Sequence, residues 1–333
     1  MSPPQTISNA NKDAPYRVIV SGGGSGGHIF PAVAIADEMR RRDPNIDFLF
    51  VGAEGRMEME KVPQAGYRIE GLPVAGFQRR LTLKNLSFPF KLIASLWQAR
   101  GLVRRFDAHL AIGTGGYASG PILRMAQQRG IPTLIQEQNS LPGVTNQLLA
   151  KKADRICTAF DHMERWFDPA KTVHTGNPVR NAIVESTISK EAARISFGLD
   201  PDRITLFVTG GSLGARAIND VLAAQIWELL ESSPLQIIWQ AGERYIADML
   251  QYEEPRVVVL DFVEDMAAAY AAADIIVSRA GGTISELCIA GKASILLPSP
   301  NVAEDHQTKN VEALVREKAA VLVRDDQAAQ HLI

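Results

Sequence analysis

Cysteine is nearly missing from this chain of 333 residues: Cys157 and Cys288 are the two it has, far apart and without CxxC spacing or a histidine partner. That excludes a disulfide framework and a sulfur-ligated zinc site, and it points to a reducing compartment, read here as the cytosol. No stretch reaches the roughly 18 apolar residues needed to cross a bilayer. A formal net charge of −2 gives no global signature of nucleic-acid binding. There is no HExxH, and the sole Asp-x-Asp, Asp200-Pro-Asp202, reads as a turn, so neither metal nor cofactor is expected. Residues 1–15 are polar, rich in Pro, Asn and Ser, and lack an apolar h-region, which reads as a flexible leader.

What remains is ordinary globular material, 46% apolar and 22% charged. Its length exceeds a usual single core, so two domains are expected, over 16–176 and 177–333, with the seam at GNPVR where Pro178 breaks the pattern. β-rich runs alternate with helical patterns through both halves: 17–21, 47–52, 67–72, 108–113, 133–136 and 155–158, then 204–209, 235–240, 256–260, 274–278, 293–297 and 320–323. Several runs are apolar on both faces, which argues for α/β units with parallel sheets covered by helices. Ligands of such sheets collect at the carboxyl ends of the strands.

Each half opens with a strand and a glycine loop. In the first, SGGGSGGHIFP (21–31) leads into a helix pattern carried by Ala32, Ile35, Ala36 and Met39. Glycines remove the Cβ atoms that would hold backbone N–H groups away from an anion, and the helix start adds unpaired donors. The place of a Walker Lys-Ser/Thr is held by His28-Ile29, and a histidine on that rim can accept a proton near neutral pH. In the second, VTGGSLGA (208–215) precedes a helix pattern over 216–230. The stretches GTGGYASGP (113–121) and QEQNSLPG (136–143) read either as a joint polar rim or as a plain helix entry and turn. Downstream, Ser or Thr in RAGGTISE (279–286) is expected to cap a helix, and Glu286 is either a diol-binding carboxylate or favourable first-turn charge. Gln307 and Asn310, three apart on a helix, grip sugar hydroxyls or are a solvated helix start.

Residues 76–105 interrupt the alternation. Leu81, Leu83, Leu86 and Phe88 interleave with Arg79, Arg80 and Lys84, a mixture suited to an anionic bilayer surface. From about Pro89 an amphipathic helix is expected, with Leu92 and Leu96 on its core face.

Seven stretches, GGGSGGHIFPAVAIAD, GTGGYASGP, QEQNSLPGVTN, GNPVR, TGGSLGARAIN, DFVEDMAAAYAAADIIVSRAGGTISE and DHQTKNVEAL, resemble in order and over nearly the whole chain the MurG family. That resemblance implies the GT-B architecture, two Rossmann-like domains facing across a cleft. It also implies transfer of N-acetylglucosamine from UDP-N-acetylglucosamine to lipid I, the lipid-linked muramyl-pentapeptide, at the cytoplasmic face of the plasma membrane. By the same resemblance Ser25, Gly26 and Gly27 lie near a diphosphate, Asn139 and Arg180 contact sugar and nucleotide, and Ser212 contacts phosphate beside Gly211. Val263 is the backbone partner of uracil, Gly282 and Thr283 join the donor site, Glu286 binds ribose, and Gln307 with Asn310 reads the sugar. His28 is the first base candidate and Glu137 the second, with Tyr117 also on the acceptor side. The stretch 279–286 is one residue shorter than in many relatives, and relatives continue past Ile333 into helices that this chain does not carry.

The mechanism expected is one in-line displacement at the anomeric carbon, with UDP leaving against N–H groups of Gly210, Gly211 and Ser212. Rivals are another GT-B enzyme, such as a glycolipid glycosyltransferase or UDP-N-acetylglucosamine epimerase, and an inactive membrane-bound scaffold. A dinucleotide oxidoreductase is a further class, because Gly22, Gly24 and Gly27 satisfy GxGxxG, although Asp47 is poorly placed as the ribose partner.

Overall fold

The computed structural model describes residues 15–74, 88–300, 302 and 305–332, except for the side chains of 88–90 and 306. The leader up to 14 and the expected membrane residues Arg79, Arg80, Leu81, Leu83, Lys84 and Leu86 lie outside the described residues; Phe88 opens a helix whose first side chains are likewise outside them.

The first sheet contains β1 (Arg17–Gly22), β2 (Asp47–Ala53), β3 (Ile69–Leu72), β4 (Leu110–Gly115), β5 (Thr133–Glu137), β6 (Arg155–Thr158) and β7 (Thr172–His174). Its order is β3-β2-β1-β4-β5-β6-β7, and every pairing is parallel. The second contains β8 (Thr205–Thr209), β9 (Gln236–Gln240), β10 (Val257–Leu260), β11 (Ile275–Arg279), β12 (Ala293–Leu297) and β13 (Val321–Leu322), in parallel order β10-β9-β8-β11-β12-β13. In both, the first strand of the unit lies at the centre and the order reverses across it. This is the doubly wound arrangement whose crevice opens at the switch point, where each glycine loop begins.

Burial explains why these runs are strands. Ile19 packs with Leu49 and Leu123 on one face of the first sheet, while Val18 and Val20 pack with Phe48 and Phe50 on the other. In the second sheet Phe207, Ile238 and Ile276 take one face, and Val208, Trp239 and Val277 the opposite one. Alternation with both faces apolar leaves no solvent side, so helices must cover each. Each fully buried aliphatic side chain contributes about 1.5–3 kcal/mol.

Two departures from the sequence reading have simple causes. The edge strand β7 has the unpromising sequence TVH, with Val173 half exposed, so no apolar pattern announced it; parallel pairing with β6 makes it a strand. In the helix Phe88–Phe106 the buried stripe is Ser95, Ala99, Leu102 and Val103. Leu96 packs against this core, but Leu92, expected there too, sits one turn before the stripe and is exposed. Trp97, 75% exposed, faces outward.

A part-buried ion cluster, with Arg194 at its buried end, ties elements of the second domain together. Asp274, just before β11, accepts from Lys190 Nζ at 2.7 Å, Arg194 Nη2 at 2.5 Å and the Thr205 N–H at 2.8 Å. Arg194 is 4% exposed and lies on the helix Lys190–Ser196, capped by Ser189. Burial works against the charge of Asp274, but its donors outweigh that effect and hold the carboxyl below the usual carboxylate range. Asp274→Ala, which leaves the Arg194 guanidinium with only its carbonyl acceptors at Ala272 and Pro201, is expected to cost about 1–2 kcal/mol in urea denaturation at neutral pH. With the folded pKa below the unfolded one, the wild-type contribution is complete above the unfolded carboxylate range. It is lost as pH falls through the folded value, so the gap between the two proteins should narrow in acid.

Candidate active site

A cavity of about 950 Å³ lies between the carboxyl ends of the two sheets. From the first domain it is lined by Ser25, Gly26, Gly27, His28 and Asn139, and from the seam by Arg180. The second domain supplies Gly211, Ser212, Val263, Gly282, Thr283, Glu286 and Gln307. The structure thus brings thirteen of the expected site residues to one wall.

Three helices begin on this wall without a side-chain cap: Gly26–Arg42 after Ser25, Arg216–Ser232 after Ala215, and Thr283–Ala290 after Gly282. The expected Ser or Thr cap on the third is therefore not formed. Side-chain caps do occur elsewhere, Ser189 on Ala192 N–H and Asp265 on Ala268 N–H, although the helices that begin at Glu58, Ser119 and Val144 lack them as well. Of the first-turn N–H groups, that of His28 donates to Ser25 O at 3.1 Å, that of Ile284 to Gly281 O at 3.2 Å and that of Ser285 to Gly282 O at 3.3 Å, so the three starts bring their remaining N–H groups and partial positive charge to the same space.

The loops meet because their contacting residues are small. A Cβ on Gly26 would lie 3.1 Å from Ser212 Oγ, and one on Gly282 would lie 3.4 Å from Gly27 Cα. The turn at Gly210 is tighter, since a Cβ there would fall 2.1 Å from Ala215 N. Gly211 takes φ +82°, and its N–H, expected to face phosphate, donates instead to Thr209 Oγ1 at 3.0 Å.

His28 lies half-buried on the rim. Its Nδ1 is 3.1 Å from Gly23 O and 3.3 Å from Ser25 Oγ. A carbonyl only accepts, so Nδ1 carries the hydrogen in the neutral ring and Nε2 carries the lone pair. The ring packs on Gly115, at φ +103°, where a Cβ would stand 2.8 Å from His28 Cδ2 and 3.0 Å from Nε2.

Glu286 accepts from Arg180 Nε and Nη2 at 3.2 and 3.1 Å through Oε1, and from Tyr270 OH at 2.7 Å through Oε2. Burial and the adjoining Glu286 charge push the Tyr270 phenol well above its ordinary pKa, so it stays a donor. Arg180 also lies 4.6 Å over the Phe30 ring and so joins the two domains. Gln307 Oε1 accepts from Ser299 N–H at 2.8 Å.

Three expected site residues are not on this wall. Glu137, 1% exposed, is sealed behind it, its carboxylate accepting from Asn139 N–H and Nδ2, Gly143 N–H and Asn146 Nδ2. Burial pushes its pKa up against those donors, but a base must reach substrate, and this carboxylate shapes the 137–143 turn instead. Asn310, 2% exposed, accepts from Ser140 N–H and Oγ at 3.3 and 3.0 Å, bridging the domains. Tyr117 lies in a separate groove of about 540 Å³ with Leu92, Leu96 and Leu148, rimmed by Lys91, Arg124 and Lys151.

Gln240 and Phe30 on this wall had no warning in the sequence. Gln240 closes an apolar strand, where it donates to Gly211 O at 2.9 Å and accepts from Val263 N–H at 3.1 Å. Among the described residues no cluster of three His, Cys, Asp or Glu is placed to hold a metal ion. The Asp200-Pro-Asp202 stretch is the turn expected, with Asp202 N–H on Asp200 Oδ1 at 2.9 Å. Among the described residues no helix is long and apolar enough to cross a membrane.

Residues 18–158 match the glycosyltransferase family 28 N-terminal domain, and residues 205–333 match the C-terminal domain of the same family. A relative from Bacteroides fragilis is 54% identical over 323 residues, covering 95% of this chain and 85% of the relative. It is called UDP-N-acetylglucosamine--N-acetylmuramyl-(pentapeptide) pyrophosphoryl-undecaprenol N-acetylglucosamine transferase. Among solved structures, Acinetobacter baumannii MurG superposes with a TM-score of 0.68 at 28% identity, over 94% of this chain and 87% of that one. A UDP-N-acetylglucosamine 2-epimerase gives 0.63 at 13% identity, over 95% and 86%, a likeness of fold alone.

The packing of His28 on Gly115 is directly testable. Gly115→Ala is expected to push the ring off Gly23 O and shift the His28 imidazole resonances in NMR; unchanged resonances would mean that the ring position does not depend on this glycine.

Proposed function

This chain belongs to glycosyltransferase family 28 and to its MurG members, and from that premise we propose how its cavity moves a sugar from a nucleotide to a lipid. It is a hexosyltransferase of GT-B architecture that transfers N-acetylglucosamine from UDP-N-acetylglucosamine to lipid I, forming lipid II for peptidoglycan. Cell shape and division depend on that supply of wall precursor.

The observation that carries the mechanism is the convergence of three uncapped helix starts on one cavity with His28 at its rim. The donor diphosphate lies against the starts of Arg216–Ser232 and Thr283–Ala290, with Ser212 Oγ beside it. Glu286 takes the ribose hydroxyls, Val263 the base, and Gln307 with Asn139 the sugar. The 4-hydroxyl oxygen of the acceptor attacks the anomeric carbon from the face opposite UDP. Its proton passes to His28 Nε2, the C–O bond to the β-phosphate breaks, and UDP departs with the bonding electrons. N–H groups already aimed at the leaving phosphate stabilise its growing charge without reorganising.

The Tyr117 groove supports attachment to the membrane. Apolar Leu92, Leu96 and Leu148 beneath Lys91, Arg124 and Lys151 suit a polyprenyl chain and anionic headgroups, and the adjoining Ile93 and Trp97 are exposed. This face binds the cytoplasmic leaflet peripherally.

Two measurements test these readings. His28→Ala is expected to lower radiolabel transfer from UDP-N-acetylglucosamine to lipid I by about 10²–10⁴-fold while UDP affinity holds, and an active variant removes His28 from the role. Replacing Lys91, Arg124 and Lys151 together by Ala should weaken sedimentation with anionic vesicles by about a hundredfold at low salt. Neutral vesicles should bind the two proteins alike.

A further inference from the structure

We propose that Glu58 is a positioning residue that acts on His28 through one peptide group, the one joining Gly23 to Gly24. The inference rests on His28 being the base. Glu58 begins the helix Glu58–Gln64 and is fully buried. Its Oε2 accepts the Gly24 N–H at 2.9 Å, and its Oε1 accepts the Ala53 N–H at 3.0 Å. The carbonyl of that same Gly23–Gly24 peptide accepts from His28 Nδ1 at 3.1 Å. Carboxylate, peptide and imidazole thus form a chain in which each hydrogen bond polarises the next. A negative charge on the amide side makes the carbonyl a better acceptor, which fixes the Nδ1–H tautomer and favours the imidazolium formed when Nε2 takes a proton. This is the role a carboxylate plays behind histidine in a hydrolytic triad, with a peptide group inserted between them.

The local packing holds this peptide closely. A Cβ on Gly23 would fall 2.2 Å from Glu58 Oε1, and one on Gly116 would fall 2.3 Å from Gly23 O, so the linking peptide is clamped on both sides. Gly24, at φ +84°, turns its N–H down to the carboxylate and away from the cavity.

Among the described residues, the charged side chains that line the cavity with His28 come in opposite pairs. Arg180 pairs with Glu286 at 3.1 Å, Arg216 with Asp220 at 3.8 Å, and Arg279 with Asp325. The adjoining end of β4, Thr114 and Gly115, is uncharged, and among the described residues the first domain contributes no charged side chain to the lining.

The test is Glu58→Gln beside Glu58→Asp in the full chain, with His28 titrated by NMR and turnover followed against pH. Loss of the charge disfavours imidazolium, so in E58Q the His28 midpoint and the acid limb of kcat should move to lower pH by about one unit. kcat should fall about tenfold, with the KM for UDP-N-acetylglucosamine unchanged. E58D, which keeps the charge, should retain the wild-type midpoint. A midpoint unmoved in E58Q, or moved equally in E58D, overturns the proposal. Should E58Q not fold, the wild-type amide proton of Gly24 decides: it is expected far downfield and titrating with the His28 midpoint, and a signal that does neither overturns the relay. These outcomes are separate from the base assignment itself, which fails only if His28→Ala keeps its turnover.

Discussion

The molecule depends on two backbones being able to approach each other with almost no side chain between them. Gly26 against Ser212 and Gly27 against Gly282 bring the starts of helices from different domains to a common space. A helix start is a useful anion ligand only where its N–H groups stay unpaired, and the three that converge here have no side-chain cap, unlike the helices Lys190–Ser196 and Met266–Ala272. Small residues and missing caps are each mildly destabilising. Together they keep the cavity wall made of donors, and the cost falls on sheets whose strands are apolar on both faces.

Much of this was legible in the sequence because it follows from backbone rules. Apolar runs alternating with helical patterns forecast the parallel sheets, and twelve of the thirteen strands fall near where those runs were read. The glycine loops were legible for the same reason, since an N–H near an anion requires a residue without bulk. What failed were statements about side-chain direction. Glu137 and Asn310 were read from motif position, yet each turns away from the cavity wall, into a nest of four donors and a bridge to Ser140, while Tyr117, read as acceptor-side, lies in a separate groove of the first domain. Direction is set by what a side chain can bond to across the fold, and those partners lie as far as 170 positions away in sequence. Glu58 drew no reading from the sequence, because its burial beneath the glycine loop comes from tertiary contacts with the Gly24 and Ala53 N–H groups.

The electrostatics of the wall follow a consistent rule of local neutralisation. Arg180 meets Glu286 and Arg279 meets Asp325, so a highly charged substrate enters a region whose fixed charges cancel over short distances. What is left to select an anion is the oriented backbone, which loses no side-chain entropy when it binds. Arg180 has a second tie, its guanidinium lying over Phe30 of the first domain, so the residue that screens Glu286 also holds the domains in register. Asn310 and Ser140 add a neutral link of the same kind.

The two glycine loops look alike in sequence but rest on different foundations. Beneath the first is a buried carboxylate, with Glu58 already holding the Gly24 N–H. Beneath the second is a neutral hydroxyl, with Thr209 holding the Gly211 N–H. A diphosphate brought equally near both would be repelled by a full negative charge in one case and by none in the other, and in a poorly solvated interior that difference outweighs one additional amide donor. The second loop is therefore the better seat for phosphate. The first is better suited to holding an imidazole, because the charge that repels an anion is the one that favours a protonated ring. Equivalent turns at equivalent switch points thus divide the chemistry between them according to a single side chain packed underneath.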